Sequence, residues 1–275
     1  MNDAILINLA DYTHSGEGAN GESLFHNTDS RLMLKMFESN VDVDAIRHEL
    51  NMAVRVYATG IPTPKPGQLV TDGNGRYGIQ FERIIGKKSF ARATGEDPDK
   101  ADVYARRFAS LCKRLHAVHL QPGEFTDIRE YYLNILDRST VYTTQERNIL
   151  ARYIEQAPDG DTAIHGDLQF GNAIMVGDKD YFIDLGDFTC GSPLFDLGMV
   201  LFTCLYDNVQ FMRQVFHLEP ETAKVFWLNF VKGYFGESAD PSEVEELLRP
   251  YAALKLLIIE KYAGSAIPEY HWLIK

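Results

Sequence analysis

The sequence is short of cysteine, of basic charge and of long apolar stretches. Its three cysteines, Cys112, Cys190 and Cys204, are odd in number and scattered. That argues against a disulfide frame or a Cys-rich zinc site and suggests reduced thiols in a cytoplasmic protein. The 27 basic side chains are outnumbered by 39 acidic ones, for a net charge of −12. A duplex-binding protein needs a basic footprint to release phosphate counterions, so nucleic acid is not an expected partner, and neither is an anionic membrane surface. The deficit is spread evenly: residues 1–86 hold 7 basic against 11 acidic side chains, 87–190 hold 13 against 17, and 191–275 hold 7 against 11. The longest mostly apolar stretches, Met199–Leu205 and Leu254–Ile259, fall far below bilayer-spanning length. The opening MNDAILINLADY has no basic start and too short an apolar run for a signal peptide. Internal repeats, low-complexity tracts and Gly/Ser linkers are also missing.

What is there suits a globule with a substantial core: 275 residues, 45% hydrophobic and 24% charged. An acidic balance suits a cationic small molecule. The first part reads as strands at 4–9, 24–27 and 31–37, with a glycine-rich turn at 15–23. Apolar residues at Val43, Ile46, Leu50, Ala53 and Tyr57 have helical spacing, and Asn40 or Asp42 could cap that helix. The prolines of Gly60-Ile-Pro-Thr-Pro64 end it, and a hairpin follows, 68–71 and 77–84 around Asp72–Gly75. After Gly86, helices are predicted at 100–119, 125–138 and 143–156. A strand–turn–strand patch occupies 162–186. The remainder, from about 195 to 266, reads as helical, with loops near 207–219 and 236–241. The architecture expected is a small β-rich lobe, a connector near 81–88 and a larger, mainly helical lobe.

The stretch His165-Gly-Asp-Leu-Gln-Phe-Gly-Asn172, with Ile183-Asp184 following, carries the chemistry. A carboxylate and an amide stand five residues apart on a glycine-containing loop, and a second acid ends the next strand. Asp and Asn oxygens are hard ligands of the kind Mg²⁺ prefers, and phosphate oxygens and water can complete its shell. A carboxylate beside that metal can accept a hydroxyl proton as the hydroxyl attacks phosphorus. Asp, Gly and Asn also favour turns for local reasons, the reading adopted for Asp178, Asp180 and, by a small margin, Asp187.

This stretch resembles the catalytic loop and metal-binding strand of the aminoglycoside phosphotransferase and choline kinase group. Its H-G-D-x-x-x-x-N and I-D patterns are unbroken here, and Gly191–Leu197 is similar to the group's G-x-P-x-x-D-L. The resemblance covers nearly the whole chain up to about residue 205. It implies an α+β, protein-kinase-like, two-lobed fold: a small antiparallel sheet with one helix in a nucleotide-binding lobe at 1–86, and a mainly helical catalytic and substrate-binding lobe at 87–275. It further implies Asp167 as catalytic base, His165 as a brace for the loop, Asn172 and Asp184 as Mg²⁺ ligands, and Asp196 as a helix cap that steadies the loop.

Upstream, Lys35 is the only lysine among the first sixty residues and sits in an apolar strand. A lysine there needs a partner, and Glu49, near the buried face of the following helix, offers one. The pair resembles the kinase lysine–glutamate pair that faces nucleotide phosphates. The alternative is an exposed Lys35, with Glu49 pairing Arg47 or Arg55. Gly16, Gly18 and Gly21 would let backbone N–H groups approach phosphate, although the segment lacks the valine of protein kinases and the ending of a Walker A loop. The connector at 81–86 resembles the group's hinge, which implies Phe81 behind the adenine and backbone bonds from Glu82 and Ile84.

His116 and His119, three apart on a helix, are read as packed or capping, not as metal ligands. Phe226, Trp227, Phe230 and Tyr234 are read as core. Glu243, Glu245 and Glu246 read as a solvated face, although substrate acids of this group come from the same region. The leading reading is a phosphotransferase moving the γ-phosphate of ATP or GTP to a hydroxyl of a small, cationic acceptor such as an aminoglycoside, an amino sugar or choline. A metal-dependent hydrolase using His165, Asp167, Asp184 and Asp187, and a nucleotide-binding pseudokinase, are the alternatives.

Overall fold

The computed structural model describes residues 4–18, 21–265 and 267–275. The chain divides into two compact units: Met1–Lys87 with Ile174–Gly186, and Lys88–Ala173 with Asp187–Lys275. Among the described residues no helix is long and apolar enough to cross a membrane.

In the first unit, β1 (Ile5–Leu6) leads through a 3-10 turn to β2 (Tyr12–Gly18), β3 (Gly21–His26) and β4 (Leu32–Phe37). Helix α1 (Val43–Ala58) precedes β5 (Pro66–Thr71) and β6 (Tyr77–Glu82). The strands form one sheet in the order β1-β5-β6-β4-β3-β2. Its pairings are antiparallel as expected, except that β1 runs parallel to β5, with Ile5 opposite Val70. The chain crosses from one sheet edge to the other between β1 and β2 instead of turning back on itself.

The expected turn at 15–23 is instead the paired ends of β2 and β3, with Gly18 opposite Gly21. Residues 19 and 20, which fall in that expected turn, lie outside the described residues. Gly21 is needed for close approach, since a Cβ there would lie 2.1 Å from the Met36 carbonyl oxygen. Of the two caps expected for α1, Asp42 serves, its side chain accepting from the Asp44 N–H. Alternation along β4 explains the core. Leu34 and Met36 pack with Leu24 and Val70 on one side, while Phe37 joins Ile46, Leu69 and Ile79 on the other.

Beyond Lys87, β7 (Lys88–Ser89) and α2 (Phe90–Glu96) were not foreseen from the sequence. Helices α3 (Ala101–His116), α4 (Ile128–Arg138) and α5 (Thr144–Glu155) match the predicted ones to within a turn at each end. A capping box between Thr143 and Glu146 starts α5. Strand β8 (Thr162–Ile164) precedes the hairpin β9 (Ala173–Val176) and β10 (Lys179–Phe182), and pairs antiparallel with β11 (Thr189–Gly191). The patch predicted to run to 186 ends as strand at Phe182, and Asp184, two residues on, adopts a left-handed backbone at φ 62°.

Helix α6 (Leu194–Leu201) runs into a π-helical turn, Phe202–Tyr206, and a short α7 (Val209–Phe211) runs into a second, Met212–Phe216. The stretch expected as a loop at 207–219 is therefore largely helical. Helices α8 (Pro220–Phe235) and α9 (Pro241–Ala263) follow, and a 3-10 turn, Pro268–Leu273, comes last. Helix α3 packs on α8, with Phe226, Trp227 and Phe230 fully buried, as core residues should be. Helix α6 packs on α9 through Gly198, where a Cβ would come within 2.5 Å of the Tyr251 backbone.

Candidate active site

The loop from His165 to Asn172 is suspended from one carboxylate. Asp196, in the first turn of α6, is fully buried. Its Oδ2 accepts from the His165 N–H at 2.7 Å, and its Oδ1 from the Gly166 N–H at 3.0 Å. His116 Nε2 stands 3.1 Å from Oδ2, while its Nδ1 meets the Tyr234 hydroxyl at 2.7 Å. Asp196 thus steadies the loop, but it does not cap the helix. Pro193 holds the cap position, and the carboxylate is spent on the loop. His116 is packed as read, and His119 pairs separately with Asp161 at 2.7 Å. Gly166 has φ +85°, and a Cβ there would fall 2.0 Å from the Asp187 carbonyl oxygen. Only glycine fits at that close approach.

His165 is completely buried, and its Nδ1 accepts from the Asp167 N–H at 3.3 Å. Asn172 is buried, and its Nδ2 donates to the Asp167 carbonyl at 3.0 Å and to Asp167 Oδ2 at 2.9 Å. The amide therefore turns its donors onto Asp167, leaving its oxygen, a hard neutral ligand, unspent by these bonds. The other carboxylate oxygen, Oδ1, accepts from Lys255 Nζ of α9. Burial works to raise the Asp167 carboxyl, yet Lys255, then His165 and Asn172, hold it below the usual carboxylate range.

Asp167 and Lys255 lie on the wall of a cavity of about 390 Å³. Phe211, Phe216 and Tyr270 give it aromatic faces, and Asp207 and Glu269 add carboxylates. The Tyr270 hydroxyl donates to Asp207 Oδ1 at 3.0 Å and accepts from the Asn208 N–H at 2.8 Å. Glu243, Glu245 and Glu246, read as a solvated face, do not line this wall; Glu243 and Glu246 are exposed, and Glu245 accepts from the Tyr206 hydroxyl at 2.6 Å. Asp187, read as a solvated turn residue, is buried and accepts from the Tyr131 hydroxyl, with Lys261 Nζ 3.4 Å away. Its backbone lies against Gly166.

In the first unit, Lys35 Nζ donates to Glu49 Oε1 at 2.7 Å and to Asp184 Oδ1 at 3.4 Å. Burial disfavours its charge, but Asp184 and Glu49 outweigh that and raise the ammonium above its ordinary range. Lys35 thus meets Glu49, the partner the sequence offered. Asp184 is more than half exposed, so its carboxylate has room for a further ligand. Among the described residues no cluster of three or more His, Cys, Asp or Glu side chains could hold a metal by itself. Any metal held by Asn172 or Asp184 would draw most of its ligands from a bound molecule and water. Gly16, Gly18 and Gly21 sit on β2 and β3. Phe81 packs on the Phe37–Ile46–Leu69–Ile79 cluster, Glu82 closes β6 with its N–H on the Lys65 carbonyl at 2.9 Å, and Ile84 follows two residues later.

The fold is that of the kinase-like class, α+β with a mainly helical second unit. Residues 14–219 match the family model of the phosphotransferase enzyme family, and the chain belongs to that family. It is similar in structure to a thermostable mutant of aminoglycoside phosphotransferase APH(4)-Ia, solved as a ternary complex with ADP and hygromycin B, at 15% identity and a TM-score of 0.65, over 96% of this chain and 90% of that one. An amicoumacin kinase in complex with AMP-PNP, Ca²⁺ and Ami is similar at 14% identity and a TM-score of 0.58, over 98% and 87%. Aminoglycoside phosphotransferase APH(3'')-Id from Streptomyces rimosus is similar at 19% identity and a TM-score of 0.55, over 88% and 93%. At such identities the likeness is one of fold. No curated protein sequence is significantly similar to the chain.

Proposed function

We propose that the protein is an ATP- and Mg²⁺-dependent phosphotransferase that phosphorylates a hydroxyl of a small molecule. One observation carries this reading: Asp167, held at both carboxylate oxygens, stands on the wall of a 390 Å³ cavity large enough for a small acceptor. The acceptor hydroxyl oxygen would attack the γ-phosphorus, and its proton would pass to Asp167. The bond from the γ-phosphorus to the bridging oxygen would break, and ADP would leave with that electron pair. His165 would brace the loop.

Lys35, kept charged by Glu49 and Asp184, would face the nucleotide phosphates, with the backbone of Gly16, Gly18 and Gly21 nearby. Phe81, Glu82 and Ile84 would receive the adenine. Asn172 and Asp184 would each offer Mg²⁺ a hard oxygen, and the bound cation would offset charge on the phosphates. Asp207, Glu269 and the aromatic rings of the cavity suit an acceptor that carries an amine beside an apolar face.

The test is thermal unfolding with and without ATP and Mg²⁺, alongside ADP release in the presence of candidate hydroxyl compounds. A nucleotide at about a hundred times its Kd stabilises the native state by about 2.7 kcal/mol. The wild type should show a Mg²⁺-dependent rise that Asp184→Asn loses. Asp167→Asn should keep the rise and slow ADP release by about 10²–10⁴-fold. A midpoint indifferent to nucleotide overturns the proposal.

A further inference from the structure

The run Tyr251–Ile258 of α9 is buried at every position, and Lys255 is its one charged side chain. An ammonium in such a place loses its hydration, a penalty of several kcal/mol unless a well-placed opposite charge answers it. Asp167 answers it, through Oδ1. Asn172 takes Oδ2 at 2.9 Å. Each carboxylate oxygen therefore has its own donor, one from α9 and one from the loop, and two donors in different directions fix a carboxylate far better than one.

Stability alone does not account for this arrangement. Buried ion pairs are often replaceable by apolar residues with little loss, and the neighbours of Lys255, Leu254 and Leu256, are apolar already. Position is more telling, since Lys255 and Asp167 share the cavity wall with Asp207. Without the ammonium, the wall would bring two carboxylates towards any phosphoryl group arriving there. Like charges at contact range still repel near a protein surface.

We propose that Lys255 is a positioning residue for phosphoryl transfer, locking the Asp167 carboxylate against the acceptor cavity and offsetting its charge as the phosphoryl group approaches. The proposal rests on the phosphotransferase reading. Lys255 makes and breaks no bond. The acceptor oxygen bonds to the γ-phosphorus, the bridging bond breaks with its electron pair leaving on ADP, and the hydroxyl proton goes to Asp167. Its signal in the sequence is a lone lysine inside an apolar helical run.

The experiment measures ADP formation from Mg²⁺-ATP with water as the acceptor, where a proton of water takes the place of the hydroxyl proton and inorganic phosphate is the product. Wild type, Lys255→Met, Lys255→Gln and Lys255→Arg are compared, each with its thermal midpoint with and without Mg²⁺-ATP. Both uncharged variants should keep the nucleotide-induced rise and the KM for ATP, while kcat falls by about 10²-fold, the scale of a misplaced reacting group. Lys255→Arg, which restores the charge and the donor, should recover most of the loss. Uncharged variants that turn over within about threefold of wild type overturn the role, and so does an arginine variant as slow as the methionine one. Should Lys255→Met fail to fold, the glutamine and arginine variants decide between the same outcomes. A wild type that neither forms ADP nor gains stability with nucleotide overturns the phosphotransferase reading itself, and this proposal with it. That result is distinct from loss of the Lys255 effect alone.

Discussion

Asp196 has no exposure to solvent, yet it holds the backbone of a loop and the ring of His116. Truncating it strands two buried N–H groups and a buried imidazole together. Asp196→Ala should lower stability by about 3–5 kcal/mol, the scale for removing one partner of a buried charged network. Urea unfolding checks this, and a loss below about 1 kcal/mol would mean that the loop is held by other contacts. Individual residues were legible in the sequence where chemistry demanded a partner. Lys35 was found because a lysine in an apolar strand must meet a carboxylate, and the structure supplies Glu49 and Asp184. The same argument applied to Leu254-Lys-Leu256 would have found Lys255, whose partner lies 88 residues away on the loop. Asp187 was misjudged because burial at a turn depends on what packs over it, here Tyr131 of α4.

At the scale of elements, the last 3-10 turn contributes a wall of the cavity through Glu269 and Tyr270. What pins it is His271. Its Nδ1 lies 2.8 Å from Glu146 Oε1 on α5, its Nε2 lies 2.9 Å from Glu260 Oε1 on α9, and Tyr142 stacks on its ring. Burial disfavours the imidazolium, but bonds to Glu260 and Glu146 outweigh it and raise the pKa above the ordinary histidine value. A group whose folded pKa is raised contributes fully below its unfolded pKa, near 6.5, and the contribution fades as pH rises through the folded pKa.

The thermal midpoint should therefore fall as pH climbs from about 6 through that raised value. His271→Gln should be about 1.5–3 kcal/mol less stable near pH 6 and should lose this portion of the pH dependence. A variant that tracks the wild-type curve in parallel would refute the assignment. Helical elements were legible: α1 was placed from apolar spacing and a cap, and α3, α4 and α5 were read to within a turn of their ends. Strand β2 and the first residues of β3 were hidden because their glycines read as a turn, although the strand read at 24–27 falls largely within β3. The π-helical turns after α6 and α7 fall where the sequence reads as plain helix and as loop.

For the molecule as a whole, the thiols report on unfolding. Cys112 and Cys204 are buried, and burial pushes both thiols well above their ordinary range. Only the thiolate is nucleophilic. Alkylation of these two cysteines at neutral pH should thus proceed only as fast as the second unit opens, tracking the unfolding midpoint in denaturant. Half-exposed Cys190 is an internal reference. Labelling of Cys112 and Cys204 well before the midpoint would reveal an opening short of global unfolding.

The chain passes between its two compact units three times, since the first unit reclaims Ile174–Gly186 after the second has begun. This ordering sets a timetable for synthesis. When residue 87 is added, the first sheet and α1 are present, and Lys35 already has Glu49, 14 positions on. Its other carboxylate, Asp184, is still to come, 149 positions after Lys35 itself. A growing chain must carry the half-buried ammonium on one partner while much of the second unit is made, and the first unit is complete only when the ribosome has passed Gly186.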